Sequence, residues 1–95
     1  MYIVQKNTEK VMLHDKDSAN KLIYLLTILG CTDAISKREI IGIQNEGQLF
    51  IIKEDETEIM VIGQEHAEII THWLLSLGIN DISITRINKT EEEIK

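Results

Sequence analysis

Two short apolar runs separated by a polar connection, followed by a longer segment with apolar residues three and four apart, occur twice along the chain. The first set is residues 2–5 and 11–14 around the polar stretch 6–10, and the second is residues 50–53 and 59–62 around 54–58. Runs rich in β-branched and aromatic residues that flank a polar connection predict a β-hairpin in each place. After each hairpin, Ala19, Leu22, Leu25, Leu26 and Leu29, and then Ala67, Ile70, Trp73, Leu74 and Leu77, fall on one face of a helix turning ~100° per residue. Polar residues open these helices (Asp15, Asp17 and Ser18; Gln64 and Glu65), and Gly30 and Gly78 follow them, where a left-handed residue closes a last turn. A third strand is expected after each glycine, over about residues 38–44 and 81–88. Asn45, Glu46 and Gly47 form the expected tight turn between the two sets.

The two sets align on each other at an offset of 48 residues without a gap. The shift pairs Ile3 with Ile51, Met12 with Met60, Ala19 with Ala67, Leu26 with Leu74, Leu29 with Leu77, Gly30 with Gly78 and Asp33 with Asp81. These identities fall on the strands, the buried helical stripe and the helix stop, the positions that set structure. Beyond Asp33 the match fades, so the first copy is expected to have a longer loop before its last strand.

The expected fold class is α+β: internally duplicated ββαβ units forming a mixed β-sheet, or two three-stranded halves, about a pseudo-twofold axis. A strand, helix, strand succession favours a right-handed parallel crossover within each unit, with both helices packed on one side of the sheet. Omitting the first strand leaves a plan close to the ferredoxin-like βαββαβ arrangement with one strand extra. Residues 1–95 read as a single domain, with unit 1 about 2–44, unit 2 about 50–88 and a charged tail over 89–95. No proline and no low-complexity linker divides them.

Composition narrows the setting. At 95 residues and 43% hydrophobic, the chain has apolar surface enough for one core without disulfides. The single cysteine, Cys31, leaves no internal disulfide, and the absence of a leader or of a span long enough to cross a bilayer points to the cytoplasm, with no membrane partner. A net charge of -6 disfavours direct nucleic-acid binding. That charge is uneven: residues 1–48 hold six basic and six acidic groups, residues 49–95 four and ten.

No glycine-rich phosphate loop, CxxC, HExxH or serine elbow is present, so the expectation is no enzyme, no catalytic residue, no cofactor and no metal. His66 and His72 lie about 240° apart around a helix and cannot share a metal. His14, with Asp15 and Asp17 beside it, is the one acid/base resource; the plainer reading is a strand-end histidine followed by helix-capping carboxylates. Cys31, next to a capping glycine, reads as a small packed thiol rather than a nucleophile.

The expected partner-binding residues are therefore surface groups. Glu54, Asp55, Glu56 and Glu58 crowd one hairpin connection, whereas the first has the net positive 6–10. Tyr24, His72 and Leu75 lie on outer helical faces, away from the core stripe. The functional expectation is a small acidic, intracellular, non-catalytic protein-binding or regulatory module with a basic protein partner. A sharper version is an acidic, DNA-mimicking inhibitor of a nucleic-acid enzyme, in the manner of anti-CRISPR proteins. The alternative is a small-ligand-sensing α/β domain acting as a homodimer, against which stands the lack of glycine-rich loops ahead of the helices.

Overall fold

The computed structural model describes residues 1–41 and 47–87. In chain order the elements are β1 (Tyr2–Lys6), β2 (Glu9–Leu13), α1 (Lys16–Ile28), β3 (Ile35–Glu39), β4 (Leu49–Glu54), β5 (Thr57–Ile62), α2 (Gln64–Ser76) and β6 (Ile82–Ile87). The six strands form one sheet in the order β3-β1-β2-β5-β4-β6. Two helices and this sheet make the chain α+β.

Every neighbouring pair of strands is antiparallel, which corrects the expected mixed sheet. In each half the strand after the helix runs parallel to the strand before it, but the first strand of the hairpin lies between them. The helix thus carries the chain over one strand, and two antiparallel steps replace one parallel step.

The strand after α1 is also displaced from expectation: β3 begins at Ile35, not near residue 38, and ends at Glu39. Its sequence, Ile-Ser-Lys-Arg-Glu, has neither alternation nor β-branched density. Pairing along the free edge of β1, from Tyr2↔Glu39 to Lys6↔Ile35, makes it a strand. The expected turn at 45–47 lies mostly outside the described residues, as does the charged tail.

The helices begin and end for identifiable reasons. Asp15 caps α1, its carboxylate accepting from the Ser18 amide at 2.7 Å. Both helices close with the same pair of bonds: Cys31 N–H to Leu26 O and Gly30 N–H to Thr27 O in α1, Ile79 N–H to Leu74 O and Gly78 N–H to Leu75 O in α2. This closure needs a left-handed residue after the helix, and Gly30 and Gly78 supply it with φ of 88° and 103°.

One cluster of buried side chains joins both halves. Val4, Val11, Leu13, Ile52, Ile59 and Val61 from the sheet meet Leu22, Leu25 and Leu26 of α1 and Ile70, Trp73 and Leu74 of α2. Trp73 is 1% exposed. Its indole N–H donates to Glu9 Oε1 at 2.7 Å, and the Lys6 ammonium lies 5.5 Å from its ring centre. A polar edge on a buried ring is thus satisfied by a residue of the other half.

The two halves of the sheet are joined by little backbone. Between β2 and β5 the only paired residues are Leu13↔Val61, with the His14 amide donating to Met60 O at 2.9 Å. Around this bridge, side chains at the helix starts take over the exposed backbone, because a buried amide left without an acceptor is costly. Ser18, 2% exposed, accepts from the Met60 amide at 2.8 Å. His66 Nδ1 lies 3.3 Å from the Met12 amide and 2.9 Å from Ile62 O. One ring nitrogen cannot both accept from Met12 and donate to Ile62, so the tautomer selects between these contacts. Ser18 and His66 are 48 residues apart, as are Met12 and Met60: each helix serves a strand in the opposite half.

Candidate interaction surface

Both hairpins end in two-residue turns, shorter than the five-residue connections expected. Lys6↔Glu9 and Glu54↔Thr57 are the last pairs, leaving Asn7-Thr8 and Asp55-Glu56 as the turns. The first residue of each has positive φ, 57° at Asn7 and 56° at Asp55, a conformation that Asn and Asp tolerate better than other non-glycine residues. Glu54 and Glu58 are therefore strand residues. Asp55, Glu56 and Glu58 are exposed and Glu54 is half-buried. None of the four enters an ion pair among the described residues.

The carboxylates of the first half are used differently. Asp33 pairs with Lys6 at 3.0 Å, Asp17 with Lys21 at 2.9 Å, and Asp15 with His14 at 3.0 Å. The Lys6 ammonium and the Asn7 side chain hold the Asp33 carboxyl below the usual range. At Asp15 partial burial pushes upward, but the His14 hydrogen bond, the Ser18 amide and hydroxyl and the nearby imidazole charge together hold it below its ordinary value. Asp17 raises the Lys21 ammonium above its ordinary value. His14, Asp15 and Asp17, the one acid/base resource of the sequence, are thus engaged with a helix start and a lysine.

Tyr24 is 64% exposed and Leu75 48% exposed, both on outward helical faces. Tyr24 and His72 occupy corresponding positions on α1 and α2, 48 residues apart. His72 lines a groove of about 370 Å³ bounded by Glu9, Glu65, Glu68, Ile69 and His72. Glu65, Glu68 and His72 follow one stripe of α2, which helical spacing makes readable. Glu9 enters from β2, more than fifty residues away, and no local pattern announces it. Its carboxylate is also the acceptor of the Trp73 indole, so the groove wall is anchored to the core.

Cys31 is a free thiol, half-buried against the core with Sγ 4.0 Å from Asp33 Oδ2. No helix among the described residues is long and apolar enough to cross a membrane. No family model, no curated protein and no solved structure matches the chain.

Proposed function

We propose that this chain is a non-catalytic protein-binding module that engages a basic partner through the carboxylates of its second half. The observation that carries this reading is the contrast in ion pairing. Among the described residues Asp15, Asp17 and Asp33 of the first half are ion-paired, though Glu9 and Glu39 are not, while no carboxylate of the second half is; Glu58 comes nearest to a cation, with Lys21 donating to its backbone carbonyl at 3.5 Å. Unpaired surface carboxylates repel one another, and a basic partner relieves that repulsion and is steered by it. The groove beside α2, walled by Glu9, Glu65, Glu68, Ile69 and His72, is a second cluster of carboxylates, on the side of the β1-β2 turn. A partner that normally holds nucleic acid offers the matching cations, which makes a DNA-mimicking inhibitor the sharper form of the proposal.

The same reading includes an internal duplication. α1 and α2 start and end 48 residues apart, and the hairpin registers Tyr2↔Leu13 and Phe50↔Val61 coincide under that shift. The ferredoxin-like comparison extends to the split strand-helix-strand within each half; here each half keeps its own three strands side by side.

The test uses the intact chain as bait beside a variant carrying Glu54→Gln, Asp55→Asn, Glu56→Gln and Glu58→Gln. A basic protein retained by the native bait at low salt, lost with the variant or at high salt, and displaced by duplex DNA is the expected result. Equal capture by both baits would sink the proposal.

A further inference from the structure

The sheet face opposite the helices holds a recess of the opposite charge. In the first half, side chains that alternate with the buried Val4 and Val11 stand on the uncovered face. Cross-strand register sets them in two rows: Lys10, Gln5 and Ser36, then Met12, Ile3 and Arg38. Ile3, Gln5, Lys10, Ser36, Lys37 and Arg38 enclose about 350 Å³, within the range of small-ligand sites. The Lys37 ammonium is turned to the helical side, where it donates to Asn20 Oδ1 at 2.6 Å. Gln5 Nε2 donates to Asn7 O at 2.7 Å. The cations that remain for the recess are Lys10 and Arg38, neither of them in an ion pair among the described residues.

Corresponding positions in the second half make a comparison within one molecule. There the register gives Glu58, Lys53 and Ser83, then Met60, Ile51 and Thr85. One lysine beside a glutamate replaces two cations, and the small recess at that end is lined by Lys53, Asp55, Asp81 and Ser83. The same backbone therefore carries an unneutralised cationic recess in one half only. Two positive groups, one a planar fork, with a hydroxyl beside them match the charge and the several acceptor oxygens of a phosphate better than a single carboxylate. A net charge of -6 disfavours a polyanion there.

We infer that the open sheet face of the first half binds a phosphate group, carried by a small metabolite or free, through Lys10, Arg38 and Ser36. Ile3 offers apolar contact to an attached carbon skeleton. This site is separate from the acidic surface proposed above, and neutralising the β4-β5 turn leaves it intact.

The experiment follows backbone amide resonances of the full chain during titration with inorganic phosphate, and separately with glycerol 3-phosphate, at constant ionic strength. Expected are saturable shifts at Gln5, Lys10, Ser36 and Arg38, weakened about tenfold or more by the double variant Lys10→Gln/Arg38→Gln and unaffected by Lys53→Gln. Equal affinities assign the site to free phosphate, and tighter binding of glycerol 3-phosphate assigns it to an ester. Thermal melting of the double variant establishes that it is folded, since both residues are exposed. Shifts spread over both halves and insensitive to the double variant would mean an adventitious ion only. Absence of shifts, or sedimentation showing that Lys10 and Arg38 instead hold the carboxylates of a second copy, also overturns the inference.

Discussion

The two halves of this protein share element order, helix length and hairpin register, and place their charges differently. In the first half Asp15 caps a helix and Asp17 and Asp33 hold lysines, and Lys10 and Arg38 on the open face of the sheet are in no ion pair among the described residues. In the second, the carboxylates of the turn and of α2 are in no ion pair among the described residues, and the helix start has no side-chain cap: Gly63 precedes Gln64 with φ of 94°. Backbone geometry is evidently set by the apolar stripes, the turns and the helix stops, which the halves share. Charge differs between them, and on the reading proposed above that difference marks the surfaces where the halves have different work.

The largest expected effect lies where the helices differ in the core. Trp73→Ala removes a buried ring, a hydrogen bond to Glu9 and a contact with Lys6, and should cost about 3–5 kcal/mol. Leu25, at the corresponding position of α1, has no polar tether, so Leu25→Ala should cost less, about 2–4 kcal/mol. Urea unfolding of both variants measures the difference; equal costs would mean the tether to the opposite half contributes nothing.

Ser18→Ala strips the Met60 amide of its acceptor in a buried position and should destabilise by about 1–3 kcal/mol. At the matching place in α2, His66→Ala should cost less, since the Met12 contact is longer and shared with Ile62. A larger loss at His66 would reverse the ranking of the two joints.

The cap asymmetry gives a pH signature. The Asp15 carboxyl is held below its ordinary value in the folded state, so its stabilisation is present above the unfolded value of about 3.8 and is lost as pH falls through the lower folded value. Asp15→Asn should therefore lie below native stability at neutral pH and converge on it in acid, read by melting temperature against pH.

Smallest of all is the effect on folding of Glu56→Gln with Glu58→Gln, expected between no change and about 0.5 kcal/mol of added stability. Marked destabilisation would give these acids a structural role and remove the contrast on which the proposed function stands.

Much of this architecture is readable from residue pattern because its determinants are local. Gly30 and Gly78 mark helix ends by conformation alone, and Ala19, Leu22, Leu25 and Leu26 mark a face by spacing. The connection after α1, residues 29–34, is one residue longer than residues 77–81 after α2, in line with the fading alignment. What escaped is non-local. β3 is a strand only because β1 offers an edge, so Ser36, Lys37 and Arg38 carry no strand signal of their own. The antiparallel order depends on which strand the helix passes over, which no pattern encodes. Glu9 joins the α2 groove from a distant strand, and Ser18 and His66 read as ordinary polar residues of a first helical turn, although they reach across to the other half.

That reach bears on what a shortened chain could do. A polypeptide comprising one half alone would present a helix whose first turn carries a hydroxyl or imidazole with no strand to serve, and a strand whose central amide has no acceptor. Two copies of such a half, arranged about a twofold axis, would answer both needs at once, each helix meeting the other copy's strand. Half-length chains of this protein should accordingly be unfolded when dilute and acquire structure only as dimers, with helicity that rises with concentration.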